Sequence, residues 1–416
     1  SECGLFEYAQ LFVISNGTQT KYYSNTTRWQ KTHSERGKKT SASYQFTSWW
    51  TDAANRKIMD LVPFAASFLS RGTLLMVLTH YCVLDVSDNL MVMRPYQICA
   101  TERILNRILV SENDKRRLGT LAAGGYVWHT TGSGKTLTSF KTAILASQME
   151  GVDKVLFVVD RKDLDYQTMK EYNKFQPGAV NGSTNTAALV KNLESDKSDK
   201  KICVTTIQKL ASYLSKAKKG DPLFTRHVVF VFDECHRSQF GKMHKAITGY
   251  FKNYHLFGFT GTPIFAKNAR SGGDPELKTT SQAFGDCLHK YTVVNAIDDG
   301  NVLPFKVDYV KPFHHADGRP DEQVEGIDTN TAWQNPRRIR LVSEYILDHF
   351  AQKTKRDRGW RFKGQGRMGF NAILACDSIP SAKAYYSCIK ALMAERGGEQ
   401  LKVATIFTYA PNGDED

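Results

Sequence analysis

The sequence predicts an α/β fold built on a doubly wound parallel sheet, and three observations predict it. Five short apolar, β-branched runs (Gly125–Trp128, Lys154–Asp160, Lys201–Thr206, Val228–Phe232 and His255–Thr260) alternate with helical stretches. Strands buried on both faces of a parallel sheet read as such runs. A glycine-rich turn joins the first run to a predicted helix, Leu137–Met149, and a pair of acids follows the most apolar run. With 416 residues, 41% of them apolar, the chain has material for two or three domains.

The charge balance, 56 Lys+Arg against 42 Asp+Glu, gives a net +14. That excess is too moderate, and apolar residues too plentiful, for a disordered chain. It makes a polyanion the favoured partner, because Lys and Arg neutralise phosphates. The eight cysteines are scattered without a C-x-x-C pair, so neither a disulfide framework nor a zinc site is expected. A reducing, cytoplasmic compartment is the expectation. The longest candidate membrane span, Leu61–Leu84, is interrupted by Arg71. The start at Ser1-Glu2 and the end at Gly413-Asp414-Glu415-Asp416 are expected to be cuts in a longer protein.

In chain order, residues 1–88 form the first region. Its run Leu11–Ile14 reads as a buried strand entering a turn at Ser15-Asn16-Gly17. The basic stretch Lys31–Lys39 reads as a solvated loop rather than a DNA contact, and the aromatics Phe46, Trp49 and Trp50 follow it. Residues 89–290 carry the five runs and form the doubly wound domain. Residues 291–416 begin a second α/β unit, with strands expected at Phe305–Val310, Phe370–Ala375 and Lys402–Phe407 and an amphipathic helix at Arg337–His349.

The chemistry concentrates in three places. His129-Thr130-Thr131-Gly132-Ser133-Gly134-Lys135-Thr136 matches a phosphate-binding loop at its Gly-Lys-Thr end, with His129 where the first glycine would stand. Gly132 and Gly134 let successive N–H groups face phosphates, Lys135 adds a charge for the β- and γ-phosphates, and Thr136 offers a hydroxyl to Mg²⁺. Ser133 lies within the same cradle. Asp233-Glu234-Cys235-His236 closes the most apolar run. Asp233 is positioned to hold Mg²⁺, and Glu234 to polarise the attacking water. Thr260-Gly261-Thr262-Pro263 ends another run, and its two hydroxyls beside a flexible glycine suit a coupling element.

In this order the three elements resemble a superfamily 2 helicase or translocase, which implies a RecA-like first lobe, complete here, and a partial second lobe. Met93-Arg94-Pro95-Tyr96-Gln97 resembles that superfamily's adenine-reading motif, placing Gln97 at the base edge. More narrowly, Gly124–Phe140, Leu5-Phe6-Glu7-Tyr8 with Ile14–Thr18, and Tyr291–Pro304 resemble the motor subunit of type I restriction enzymes. The resemblance implies an ATP- and Mg²⁺-dependent motor that moves double-stranded DNA before cleavage, in complex with methyltransferase and specificity subunits. It implies DNA-backbone contacts at Arg161, Lys162, Thr205 and Thr206, and makes Lys135 and Glu234 the catalytic pair. It also implies that residues 1–88 are the end of a PD-(D/E)xK-type nuclease domain whose catalytic acids and lysine precede this chain. Glu276-Leu277-Lys278 repeats part of that nuclease pattern, but in a polar, glycine-rich loop, and reads as a decoy. No arginine finger is assignable, and Asn371–Ser378 resembles the first motif of the second lobe. The rival readings are another superfamily 2 DNA or RNA helicase, or a non-catalytic nucleotide- and DNA-binding module.

Overall fold

The computed structural model describes residues 8–26, 46–159, 170–175, 181–182, 186–195, 197, 200–217, 220–233, 235, 240–269, 277–309, 334–359, 361, 369–397 and 401–406. The chain divides into two compact units, Ser1–Pro304 and Phe305–Asp416.

The first unit opens with a small module. Strands β1 (Leu11–Ser15), β2 (Thr20–Ser24) and β3 (Ser48–Trp49) form an antiparallel sheet in that order. The hairpin between β1 and β2 turns at Gly17, whose φ of +98° suits glycine. There Asn16 Oδ1 accepts from Thr18 N and Gln19 N. The expectation that Leu11–Ile14 is buried is corrected: among the described residues β1 pairs with β2 alone, and Val13 and Ile14 are each 40% exposed. Tyr22, at the sheet centre, is buried between Trp50 and Phe68. Helices α1 (Leu61–Phe68) and α2 (Arg71–His80) follow. They meet at a 64° bend, and among the described residues no single helix is long and apolar enough to cross a membrane. Phe64, Phe68 and Val77 fill the module's core with Tyr22, Tyr81 and Met93. A short hairpin, β4 (Cys82–Leu84) with β5 (Leu90–Val92), leads on to helix α3 (Pro95–Asn113). Pro95 sits in the first turn of α3, where its missing N–H costs nothing.

The main sheet has seven strands, all paired in parallel: β6 (Gly125–His129), β7 (Lys154–Val159), β8 (Asn181–Gly182), β9 (Ile202–Thr206), β10 (His227–Asp233), β11 (Asn253–Thr260) and β12 (Cys287–Tyr291). Their spatial order is β12-β6-β11-β10-β7-β9-β8. Each predicted run is a strand here, and β12 and β8 extend the sheet at its two edges. Helices α4 (Lys135–Gln148), α5 (Thr186–Glu194), α6 (Ile207–Lys216), α7 (Phe240–Tyr250) and α8 (Thr280–Phe284) lie between the strands in sequence, and α9 (Val293–Asp298) follows β12. Successive side chains on a strand point to opposite faces. Val155, Phe157, Val229, Val231, Phe257 and Phe259 therefore join one core with Ala143 and Ile104. Leu156, Val158, Val228, Phe230, Phe232 and Leu256 join the other, with Leu210, Leu214 and Phe251.

The expected domain boundary at 290/291 cuts through β12, whose pairing with β6 continues to Tyr291 opposite His129. The first unit accordingly runs on through α9 to Pro304.

In the second unit, helices α10 (Pro336–Lys353) and α11 (Ile379–Arg396) are linked by Arg340 Nη2–Glu395 (3.1 Å) and Arg396 Nη1–Asp348 (2.6 Å). Asn335 caps α10, its Oδ1 accepting from Arg337 N at 2.9 Å. The strands expected at Phe305–Val310, Phe370–Ala375 and Lys402–Phe407 are corrected: their described residues lie in irregular chain, with Ile373 97% and Ile406 98% exposed. An apolar run becomes a strand only where a neighbour accepts its backbone hydrogen bonds, and among the described residues these runs have none.

Candidate functional site

Three strands that neighbour one another, β6, β11 and β10, end at one edge of the sheet. Trp128 stands beside Thr260, and Phe259 beside Asp233. The carboxyl edge of such a sheet is where ligands bind, and each of these strands runs directly into one of the three chemical motifs.

After β6 the chain turns through Thr130–Ser133 into α4. Gly132 (φ +80°) and Gly134 (φ +76°) hold the left-handed conformation, and Gly134 is the residue before the helix. With no side chain to cap and no acid in its first turn, α4 presents its unpaired N–H groups and positive dipole end outward. That is the local chemistry of a phosphate cradle. Bonds to its carbonyls hold the turn rigid. Ser133 Oγ donates to Thr130 O at 2.6 Å, and Tyr96 Oη donates to Ser133 O at 2.8 Å. Gln97 Nε2 donates to Ser133 O (3.3 Å) and Gly134 O (3.2 Å), while Gln97 Oε1 accepts from Arg94 N at 2.9 Å. Gln97, expected at the base edge, is buried here, with its amide nitrogen bracing the loop and its amide oxygen capping the start of α3. Ser133 is itself buried, and Thr136 is half-buried in the first turn of α4.

The segment after β11 lies against the loop. A Cβ on Gly261 would stand 3.5 Å from Lys135 Nζ and 3.4 Å from Thr131 Oγ1, so the missing side chain lets the lysine approach. Trp128 Nε1 donates to Gly261 O at 3.1 Å, and Thr262 N donates to Thr260 Oγ1 at 3.0 Å. Thr260 is buried and Thr262 exposed, so of the two hydroxyls only that of Thr262 faces solvent. Asp233 is half-buried at the end of β10, whereas Glu234 lies outside the described residues.

His129 is fully buried, with Nε2 3.0 Å from His289 Nδ1 on β12. Burial, then His289, then Lys135 hold His129 well below the ordinary histidine pKa, and burial with Arg103 lowers His289 to about 4. Both rings are neutral at physiological pH. Around them, Tyr96 and Tyr291 stack at 3.6 Å between centroids. Burial chiefly raises the Tyr96 phenol to about 12, so it stays a donor. Tyr291 O accepts from Thr130 N at 2.9 Å, and Tyr291 Oη donates to Asp299 Oδ2 at 2.7 Å.

Of the residues expected to meet DNA, Arg161 and Lys162 lie outside the described residues. Thr205 and Thr206 end β9 and are both buried, and Thr206 Oγ1 accepts from Lys209 N as the cap of α6. A phosphate contact would require uncovering them.

Reading the motifs one at a time misses His289, Asp299 and Asn301. His289 comes to the loop through the pairing of β12 with β6, 160 positions from His129, and Asp299 and Asn301 follow through their bonds to Tyr291. The one local signal is the histidine in the place of the first loop glycine, which implies a neighbour able to accommodate a buried imidazole.

A SWI2/SNF2 ATPase family model matches residues 96–335, and a type I restriction enzyme subunit R domain 3 model matches residues 368–416. A type I restriction enzyme endonuclease subunit of Staphylococcus saprophyticus is 40% identical over 98% of this chain and 40% of its own length. Its counterpart from Staphylococcus aureus is 41% identical over 99% of the chain and 40% of its own. A Mycoplasma pneumoniae protein described as the C-terminal part of such a subunit is 48% identical over 49% of this chain and 99% of its own length. The chain thus spans about 40% of the length of the staphylococcal relatives. The loop, the strand-end acid and the threonine segment at one sheet edge all fall within the residues matched by the SWI2/SNF2 ATPase model, and the chain belongs to the endonuclease (R) subunits of type I restriction enzymes, carrying their SWI2/SNF2-type ATPase motor domain.

Proposed function

We propose that this chain binds ATP with Mg²⁺ at the carboxyl edge of β6, β11 and β10, and forms the double-stranded DNA translocase core of a type I restriction endonuclease. The observation that carries the reading is the convergence at that edge of the left-handed glycine loop, Asp233 and Thr260–Thr262. The uncapped first turn of α4 fits the phosphates. Lys135 supplies a charge to them, and Thr136 and Asp233 are the oxygen ligands suited to Mg²⁺, a hard cation that keeps several waters. When bound, the metal neutralises charge on the phosphates, and Glu234 orients the attacking water.

Motion along the duplex is assigned to the neighbouring strands β7 and β9. Val159, two positions before Arg161 in sequence, lies beside Thr206. Contacts to the backbone, rather than to base edges, suit a motor that must step along any sequence. Methyltransferase and specificity subunits are the proposed partners of the whole assembly.

The test has two steps. The 416-residue chain should bind a fluorescent ATP analogue in the presence of Mg²⁺ and lose that binding on Lys135→Ala. The full-length subunit, assembled with its partners, should show ATPase activity stimulated by linear duplex DNA. Stimulation by single-stranded DNA or RNA alone would replace translocation with unwinding.

A further inference from the structure

A rigid turn of the N-terminal module reaches across to the edge of the ATPase sheet. Between the paired residues Thr51 and Lys57, Asp52 Oδ1 accepts from Ala54 N and Arg56 N at 2.9 Å each, and Asn55 holds a φ of +63°. This turn projects two side chains onto β12 and α9. Asn55 Nδ2 donates to Lys290 O at 2.7 Å. Lys57 Nζ donates to Asp298 O at 3.0 Å and Asp298 Oδ2 at 2.6 Å, and lies 3.5 Å from Asp299 Oδ1. From behind, Arg103 bonds both Leu288 O on β12 and Ala53 O of the turn.

The outward edge of β12 is therefore met by the module, although among the described residues it pairs with no further strand. The Asp298 carboxylate is 71% exposed, and solvent screens its pair with Lys57. Lys57 and Asp299 are 17% and 20% exposed, so theirs is the pair that burial protects.

From Asp299 the contacts lead straight to the nucleotide loop. Its other oxygen, Oδ2, accepts from Tyr291 Oη at 2.7 Å, and Asn301 Nδ2 donates to the same phenol oxygen at 2.7 Å. Asn301 Oδ1 in turn accepts from Arg94, the residue that leads α3. Tyr291 reaches the loop twice, by accepting from Thr130 N through its carbonyl and by stacking on Tyr96, which donates to Ser133 O. Each step is a direct contact, and Asp299 is the single carboxylate shared by the module's lysine and the loop's tyrosine.

We propose that Lys57, Asp299 and Tyr291 are positioning residues through which the N-terminal module sets the shape of the nucleotide loop, so that docking of the module tunes ATP affinity. The proposal rests on the nucleotide-binding reading of that loop. It gives a mechanical route by which the nuclease side of the subunit and the motor influence one another.

A double-mutant cycle on the 416-residue chain tests it, with the fluorescent ATP analogue titrated in the presence of Mg²⁺. Lys57→Met removes the charge, and Tyr291→Phe removes the phenol oxygen while keeping the stack. Each single variant is expected to weaken binding about three- to tenfold, with the double variant no weaker than about the worse single. Lys57→Arg, which keeps the charge, should stay within about twofold of the unaltered chain. Unchanged affinity in Lys57→Met, or losses that multiply in the double variant, would overturn the relay while Lys135→Ala still abolishes binding. No binding by the unaltered chain would overturn the nucleotide reading and the relay with it.

Discussion

His129 Nε2 and His289 Nδ1 face each other at 3.0 Å across β6 and β12, and the outward nitrogens, His129 Nδ1 and His289 Nε2, are buried without hydrogen-bond partners among the described residues. Placing a further proton on either ring would bury an uncompensated charge, beside Lys135 for His129 and beside Arg103 for His289, which is why both rings titrate low. In the unfolded chain each ring takes up a proton near pH 6.5, and in the folded chain His289 does so only near pH 4. The unfolded state therefore binds more protons in that window, and stability present above pH 6.5 is lost as pH falls toward 4. The shift at His289 corresponds to roughly 3 kcal/mol. Thermal unfolding followed between pH 7.5 and pH 4.5 should show a falling midpoint, and His289→Leu should flatten that slope. An equally steep slope in the variant would assign the acid sensitivity elsewhere, with His255, also lowered to about 4, the next group to replace.

The two loop glycines are predicted to differ in tolerance. A Cβ on Gly132 would meet nothing within 4 Å, whereas one on Gly134 would stand 2.8 Å from Gln97 Nε2. Both positions carry positive φ, a conformation that costs an ordinary residue about 1–2 kcal/mol and asparagine less. Gly132→Asn should keep ATP-analogue affinity within about threefold, because only the backbone conformation is tested. Gly134→Ala must also displace the amide that braces the loop, and should weaken binding by about tenfold or more. Equal losses in the two variants would show that the Gln97 contact is dispensable.

Much of this could be read in advance, and the parts that could not share a cause. The strands β6, β7, β9, β10 and β11 announce themselves because burial on both faces demands unbroken apolar runs, and the loop because positive φ demands glycine. β12 reads Cys-Leu-His-Lys-Tyr, with two polar members, and its identity depends on a partner strand far away in sequence. The reverse error occurs at Phe370–Ala375 and Lys402–Phe407, where composition suits a strand and the described chain offers no pairing neighbour. Gln97 was legible as part of the site from its motif. Its bonds to Ser133 and Gly134 depend on how α3 crosses the start of α4, which no local pattern encodes.

Gln97 lends itself to a substitution that separates two roles. Gln97→Glu keeps the acceptor facing Arg94 N but turns an oxygen toward Ser133 O and Gly134 O, replacing two donor contacts with repulsion. It should cost about 2–3 kcal/mol of stability, against about 1 kcal/mol for Gln97→Ala, since Tyr96 Oη continues to serve Ser133 O. Chemical denaturation of both variants measures this. A residue that only reads adenine would instead lose discrimination of ATP from GTP with unfolding midpoints unchanged.

Lys154, at the start of β7, is 1% exposed and has a structural task that its place in an apolar run conceals. Its Nζ donates to Asn192 O (2.9 Å), Ser195 O (2.5 Å) and Lys200 O (3.0 Å), two of which belong to the end of α5 and the turn just after it. The last carbonyls of a helix lack partners within it, and a cation there also meets the negative end of the dipole. Arg226 Nη1 adds a bond to Leu193 O at 3.3 Å, so the end of α5 is held by two cations from β7 and the segment before β10. Lys154→Met keeps most of the volume but strips a donor from each of three carbonyls, at a cost of about 2–4 kcal/mol. That should lower the melting temperature by roughly 5–10 °C. Because the lost contacts gather on α5, hydrogen exchange should accelerate first in Thr186–Glu194 and the adjoining edge of the sheet, with the loop at Gly132–Thr136 retaining its protection. Uniform acceleration across both would mean that Lys154 supports the whole first unit rather than the strand edge beside it.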